Sequence, residues 1–127
     1  MLPRDTNAMG TIFGGIILSY IDLAGAVEAR RTSSQVFVTI AMREVVFHAP
    51  VYVGDLVTFY TETVRVGRTS ITTKVTVQAC ARDDGGDVRL VTEAEVVYVA
   101  VDDSRKPIPI VQTDTPVLMD AESGDLE

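Results

Sequence analysis

Between Ile16 and Arg31 the chain reads IILSYIDLAGAVEARR, with apolar residues at 16, 17, 20, 21, 23, 24 and 27. That spacing of three to four residues predicts an α-helix. The apolar positions cover most of the helical circumference, and a helix apolar nearly all round is expected to be buried. Glu28, Arg30 and Arg31 mark its exit to solvent, and the two arginines suit the negative end of the helix dipole. Ahead of it, Pro3, Asp5, Asn7 and Gly10 punctuate residues 1–13 as a loop, and Gly14-Gly15 lead into the helix.

After the polar break Thr32–Gln35 the period becomes two. Val36, Val38, Ile40 and Met42 alternate with Phe37, Thr39, Ala41 and Arg43, which predicts a strand. Val45–His48 extends it and Pro50 ends it. Val53-Gly54-Asp55 predicts a turn and Leu56–Val66, rich in Val, Thr, Tyr and Phe, a second strand. Gly67-Arg68 turns into a third, Thr69–Arg82, with Ile71, Thr73, Val75 and Val77 on one face. Asp83-Asp84-Gly85-Gly86-Asp87 predicts a hairpin and Val88–Val101 a fourth strand. These strands run to about 11–14 residues where 5–6 is usual. One long buried helix followed by long antiparallel strands predicts an α+β fold, a central helix wrapped by a curved antiparallel sheet. A single helix leaves the sheet edges open, and edge-to-edge pairing of two copies would close one of them.

Length and the lack of a repeat predict one domain over residues 1–110, with an acidic, disordered tail over 111–127. Asp114, Asp120, Glu122, Asp125 and Glu127 sit in that tail with no basic residue, so much of the net charge of −7 belongs to it. An acidic chain repels phosphate backbones, and aromatic residues are only 6% with no Trp, so nucleic acid is not an expected partner. Cys80 is the one cysteine, which excludes an internal disulfide and fits a reducing cytoplasm. The apolar run Ile16–Leu18 is too short for a membrane span. No cluster has metal-ligand spacing, and no phosphate loop or nucleophile elbow occurs.

Four features carry candidate chemistry. Gly14-Gly15 open a helix whose first amides form an anion site, suited to an oxyanion; equally they permit a tight turn, the stronger reading on spacing alone. Asp22 interrupts the apolar stretch Ile16–Val27, seven residues or about 10 Å of helical rise beyond Gly15. A carboxylate there is either a general base lining a cleft or a structural group hydrogen-bonded to a strand, and the residues alone leave both open. Asn7 can orient water or a carbonyl, though it is also a common turn residue. Arg68, Thr69 and Ser70 offer a guanidinium and two hydroxyls that can grip a phosphate, or form an ordinary hairpin. His48, the single histidine, follows Phe47 with nothing nearby in sequence to orient it.

The run Pro3-Arg-Asp-Thr-Asn-Ala-Met-Gly-Thr-Ile-Phe-Gly-Gly15, then Ser19–Ala26, Phe47 with Pro50, Val53-Gly54-Asp55, Val66–Ser70 and Tyr98–Asp102 together resemble the acyl-CoA thioesterase branch of the hotdog superfamily over roughly residues 3–109. The resemblance implies a hotdog fold, hydrolysis of acyl-CoA to free acid and coenzyme A without a cofactor, and a homodimer or a homohexamer built as a trimer of dimers. Active sites then lie at the dimer interface. Asp22 matches the family's helix carboxylate, a general base or nucleophile. Asn7 matches a loop Asn contributed by the opposite subunit. The amides of Gly14 and Gly15 match those that polarise the thioester carbonyl, and Arg68, Thr69 and Ser70 match the loop that meets the CoA phosphates. Gly54 and Asp55 match a turn with no role beyond shape. Ile17, Tyr20, Ile21 and Met42 are expected to bound the acyl tunnel. Two departures stand out. Relatives begin with a strand before the Pro3–Gly15 segment, whereas Met1 starts almost on it, so a first strand is expected to be short or missing. His48 stands where relatives often carry a different, basic residue. Two other functions fit the same outline: an acyl-thioester dehydratase or hydratase, which needs a His paired with a carboxylate, and a non-catalytic acyl-CoA-binding module.

Overall fold

Helix α1 spans Gly14–Thr32, starting two residues before the first apolar residue of the periodic run. Ser33 closes it by donating its amide to Ala29 O at 3.1 Å. Only one stripe of the helix is buried: Ile17, Ile21, Gly25 and Ala29, each four residues after the last. Tyr20, Leu23 and Val27 are 43–63% exposed. The expectation of a helix buried all round is therefore corrected. One sheet covers one side of a cylinder, and among the described residues the apolar opposite side has no second layer. The structure, a computed structural model, describes Ile12, residues 14–81 and residues 87–111. Asn7, most of the 83–87 turn and the acidic tail beyond Val111 lie outside the described residues.

Four antiparallel strands follow: β1 Val36–Phe47, β2 Asp55–Val66, β3 Ser70–Ala81 and β4 Arg89–Val101. Their order across the sheet is β1-β4-β3-β2. The consecutive strands β1 and β2 therefore lie at opposite edges, with the β3–β4 pair in the middle. The two central strands carry most of the core. Ile71, Thr73, Val75 and Val77 of β3 pair with Tyr98, Val96, Ala94 and Thr92 of β4, and all eight are buried. These side chains share the face that meets Ile17, Ile21 and Ala29 of the helix. Burying each large aliphatic among them is worth roughly 1.5–3 kcal/mol.

β1 departs from the expected unbroken alternation. Its register with β4 shifts between Thr39 and Ala41 and again between Arg43 and Val46, where Glu44 has a φ of 53°. Ile40 is the extra residue at the first shift, and it is 59% exposed. Thr39 and Met42, three apart, both pair with inward residues of β4, namely Tyr98 and Val96. Such bulges bend a strand and raise its twist, which curls this edge around the helix. At the near end of the sheet the 48–54 connection is pinned by His48 N donating to Val91 O at 2.7 Å and Ile12 N to Val51 O at 2.8 Å. At the far end, Ile108 N donates to Ala100 O at 2.9 Å and Ile110 N to Arg68 O at 2.8 Å, so the residues after β4 fold back over the β2–β3 turn. Among the described residues no helix is long and apolar enough to cross a membrane.

Candidate active site

Asp22 sits half-buried at the margin between the covered stripe of α1 and its exposed flank. Beneath it, Thr39 of β1 and Tyr98 of β4 are direct cross-strand partners, so their side chains emerge side by side on the helix-facing side. Thr39 Oγ1 donates to Asp22 Oδ1 at 2.7 Å. Tyr98 Oη donates to the Asp22 main-chain O at 2.6 Å and lies 3.2 Å from Oδ1. Both hydroxyls thus gather on one carboxylate oxygen. Among the described residues none hydrogen-bonds Oδ2, which keeps its lone pairs for another partner. Hydrogen bonds to a charged acceptor are worth roughly 1.5–3 kcal/mol, so the carboxylate is fixed at one end and open at the other.

Tyr98 is 1% exposed. Its burial, then the charge of Asp22 and the hydrogen bond to it, push the phenol well above the ordinary tyrosine value, so it stays a neutral donor. A raised folded-state value means that the contribution of Tyr98 to stability is full below the unfolded value, about pH 10, and is lost as pH rises above it. Denaturant titrations between pH 8 and 11 are expected to show a steeper alkaline loss of stability in the wild type than in Tyr98→Phe. Identical slopes would contradict the assignment.

The other candidates lie elsewhere. Gly14 and Gly15 are the first two residues of α1 and carry amides of its unbonded first turn. A Cβ on Gly14 would stand 3.3 Å from Phe47 Cζ, whereas a Cβ on Gly15 would meet nothing within 4 Å. Gly14 is therefore tied to packing, and the space at Gly15 is open. Gly15 and Asp22 remain about 10 Å apart along the helix axis. Arg68, Thr69 and Ser70 occupy the β2–β3 turn, closed by Gly67 N donating to Ser70 O at 2.7 Å. Ser70 lies opposite Val99, while Phe47, beside Gly14, lies opposite Thr92. Seven residues of strand separate those positions, about 23 Å. One chain therefore does not bring Arg68–Ser70 to the helix start. Asn7 is outside the described residues.

A cavity of about 380 Å³ opens beside Gly14, walled by Ile17, Phe47, Pro50, Val51 and Val91. Of the residues expected to bound an acyl tunnel, Ile17 lines it. Ile21 is instead a fully buried core residue, and the Tyr20 ring packs on Phe59 with centroids 6.2 Å apart. His48 is not unpartnered: its Nε2 is 3.0 Å from Glu93 Oε2, which also meets Lys74 Nζ at 3.5 Å through its other oxygen. Glu93 and Tyr98 are an odd number of positions apart on a regularly paired stretch of β4, so Glu93 faces away from Asp22, while His48 also borders the cavity beside Gly14. Cys80 is half-buried opposite Leu56. Among the described residues no group of three or more His, Cys, Asp or Glu side chains is placed to hold a metal ion.

Sequence reasoning passed over Thr39, Tyr98 and Gly25. Thr and Tyr are ordinary strand residues, and only the β1–β4 register brings their hydroxyls under Asp22. Gly25 left a faint signal, a helix-interior glycine costing about 1 kcal/mol relative to alanine. A Cβ there would overlap the Tyr98 hydroxyl.

Comparison with known proteins agrees with this architecture. The thioesterase superfamily model matches residues 9–84. The acyl-CoA thioester hydrolase YciA of Salmonella typhimurium is 40% identical over 111 residues, 86% of this chain and 84% of the relative. Among solved structures, a hexameric hotdog fold thioesterase of Campylobacter jejuni matches with a TM-score of 0.79 and 48% identity, over 87% of this chain and 84% of that one. The hexameric thioesterase y2039 of Yersinia pestis matches with a TM-score of 0.82 and 38% identity, over 87% and 90%. A central helix cradled by a curled antiparallel sheet, with a carboxylate on the helix and glycines at its start, thus places the chain in a known lineage: it belongs to the thioesterase superfamily, among the hotdog-fold relatives of the YciA acyl-CoA thioester hydrolases.

Proposed function

We propose that the chain is an acyl-CoA thioesterase in which Asp22 drives hydrolysis. The observation that carries this is the Asp22 carboxylate, anchored through Oδ1 by Thr39 and Tyr98, with Oδ2 open at the exposed margin of α1. As a general base, Asp22 takes a proton from water as the oxygen adds to the thioester carbonyl. The oxyanion is met by main-chain amides, the C–S bond breaks, and the departing CoA thiolate recovers the proton. Direct attack by the carboxylate, followed by hydrolysis of the anhydride, uses the same atoms and the same amides.

The family resemblance implies that Asn7 and Asp22 come from opposite subunits, and the distance from Asp22 to the start of its own helix supports the same origin for the amides. A reacting carbonyl must lie about 3 Å from an oxyanion donor and within one water of the base. Gly15 and Asp22 of one helix are about 10 Å apart along the axis. We assign the amides of Gly14 and Gly15, and Asn7, to a second copy of the chain, so the active unit is a homodimer or a hexamer of three dimers. The uncovered Tyr20, Leu23 and Val27 and the edge strand β1, with Val36, Ile40 and Phe47 about half exposed or more, are apolar surfaces that such an assembly covers. The cavity beside Gly14 takes the start of the acyl chain. Arg68, with Thr69 and Ser70, meets the CoA phosphates. One domain over residues 1–110 with the tail 111–127 outside it, and a cytoplasmic location, complete the reading; the lone, half-buried Cys80 fits the latter.

A thiol-release screen over short, medium, long and aromatic acyl-CoAs tests the reaction and its range together, with light scattering to size the assembly. Free CoA released by dimers or hexamers supports the reading. Acyl-CoA bound for hours without release, or hydrolysis by a monomer, overturns it. The dehydratase alternative would have to use the His48–Glu93 pair instead of Asp22, and formation of an enoyl thioester in place of CoA release would favour it.

A further inference from the structure

We infer that Tyr98 is a positioning residue for the thioesterase reaction and that Gly25 is the gap in α1 through which its hydroxyl reaches Asp22. The inference rests on the role proposed for Asp22. A fully buried tyrosine needs a partner for its hydroxyl, and Tyr98 spends its single proton on the helix residue that carries the reacting carboxylate. Binding the main-chain O and touching Oδ1 fixes both the turn of helix and the side chain that projects from it. Thr39 holds the same oxygen from the other side, so the carboxylate cannot swing and Oδ2 keeps one direction.

Gly25 makes this approach possible. It lies one turn beyond Asp22, wholly buried against β4. A Cβ at this position would overlap Tyr98 Oη and stand 2.8 Å from Thr73 Oγ1 and 3.2 Å from Tyr98 Cε2. Its backbone is helical, and the described glycine with a left-handed φ is Gly54, so conformation does not call for glycine here. Space does. The hydroxyl of Thr73, fully buried and without a hydrogen-bond partner among the described residues, lines the same gap. Tyr98 stays protonated across the working pH range and so never competes with Asp22 for a proton.

Tyr98→Phe keeps the ring and removes only the donor. Loss of one hydrogen bond to a charged group predicts a fall in kcat of about 10-fold, with KM and assembly size close to wild type and the near-neutral melting temperature lowered by only a few degrees. Gly25→Ala pushes the hydroxyl aside and is expected to lower kcat similarly. Because both act through one contact, the double variant should fall less than ~2-fold below the worse single, against ~10-fold below it (~100-fold below wild type) if the effects were independent. A Tyr98→Phe enzyme with wild-type kcat, or multiplicative losses, overturns the inference. If Gly25→Ala does not fold, the kcat-against-KM split of Tyr98→Phe decides alone. Asp22→Asn assayed in parallel separates the failures: full turnover there defeats the reading of Asp22 itself, whereas loss there with an unaffected Tyr98→Phe defeats only the positioning role.

Discussion

Asp22→Asn lowers kcat at least ~100-fold, the lower range for removing acid–base catalysis, with KM little changed. Asparagine suits this test because its amide oxygen replaces Oδ1 as acceptor for Thr39 Oγ1 and Tyr98 Oη, now 2.7 and 3.2 Å away. The anchored end of the side chain therefore stays where it is. What changes is the open end, where an amide NH₂ replaces Oδ2. It can neither accept a proton from water nor attack a carbonyl carbon. Binding energy from the CoA moiety and the acyl chain does not pass through this atom, so the loss belongs in kcat and not in KM. Steady-state CoA release, with circular dichroism and light scattering on the same samples, reads the result. Turnover within a few-fold of wild type in a folded, assembled variant would remove Asp22 from the chemistry and, with it, the thioesterase mechanism drawn here.

The limits of what the sequence could say follow from the kind of information each feature needs. Element order was legible because it is local. The switch from a 3.6 period to a period of two after Thr32 separates α1 from β1, and the strand bounds read from the sequence fall within one or two residues of where the strands lie. Strand order was not legible, because β4 joins β1 only through pairing between residues 45 to 65 apart. The same non-locality hid the support of Asp22. Thr39 looked like one more β-former, and the bulge at Ile40 that sets its facing has no signature in an alternating apolar run. The helix reading failed in an instructive way. Tyr20, Leu23 and Val27 were counted as evidence of burial, and the described residues of one chain leave them exposed. An apolar flank encodes the surface to be covered without encoding which chain covers it. Asp22 was recognisable as an anomaly from composition alone, but its choice between catalyst and structural group depended on which oxygen the strands leave open.

Asp55→Ala is expected to cost about 3 kcal/mol of stability, the low end for stranding one partner of a buried ion pair. Family likeness assigned the Gly54-Asp55 turn nothing but shape, and the structure gives it a mechanical role. Gly54 takes a φ of +91°, a left-handed conformation that L side chains resist. The turn delivers Asp55, its side chain 7% exposed, to Arg89 at the start of β4 in a close ion pair. Asp55 Oδ2 also accepts the Tyr52 amide at 2.9 Å. Arg89 in turn donates to Pro50 O at 3.4 Å and stacks its guanidinium 5.5 Å over the Tyr52 ring. β2 and β4 are not neighbours, so this cluster ties the 50–55 segment across β3 to the strand that carries Tyr98. Without Asp55 the Arg89 side chain, about 30% exposed in the intact protein, loses its counter-ion, and its Nε is already buried without a partner among the described residues. Partial exposure is the reason for the low end of the range. Denaturant unfolding of Asp55→Ala measures the cost, and Asp55→Ala/Arg89→Leu identifies its origin. Removing the stranded charge should recover part of the loss, because the penalty lies in the uncompensated cation more than in the missing attraction. A double variant no more stable than Asp55→Ala would assign the cost to the Tyr52–Asp55 turn instead. A single variant within ~0.5 kcal/mol of wild type, the range of ordinary surface substitutions, would leave the 50–55 wall of the cavity to be held by its other contacts, the Ile12–Val51 and His48–Val91 hydrogen bonds.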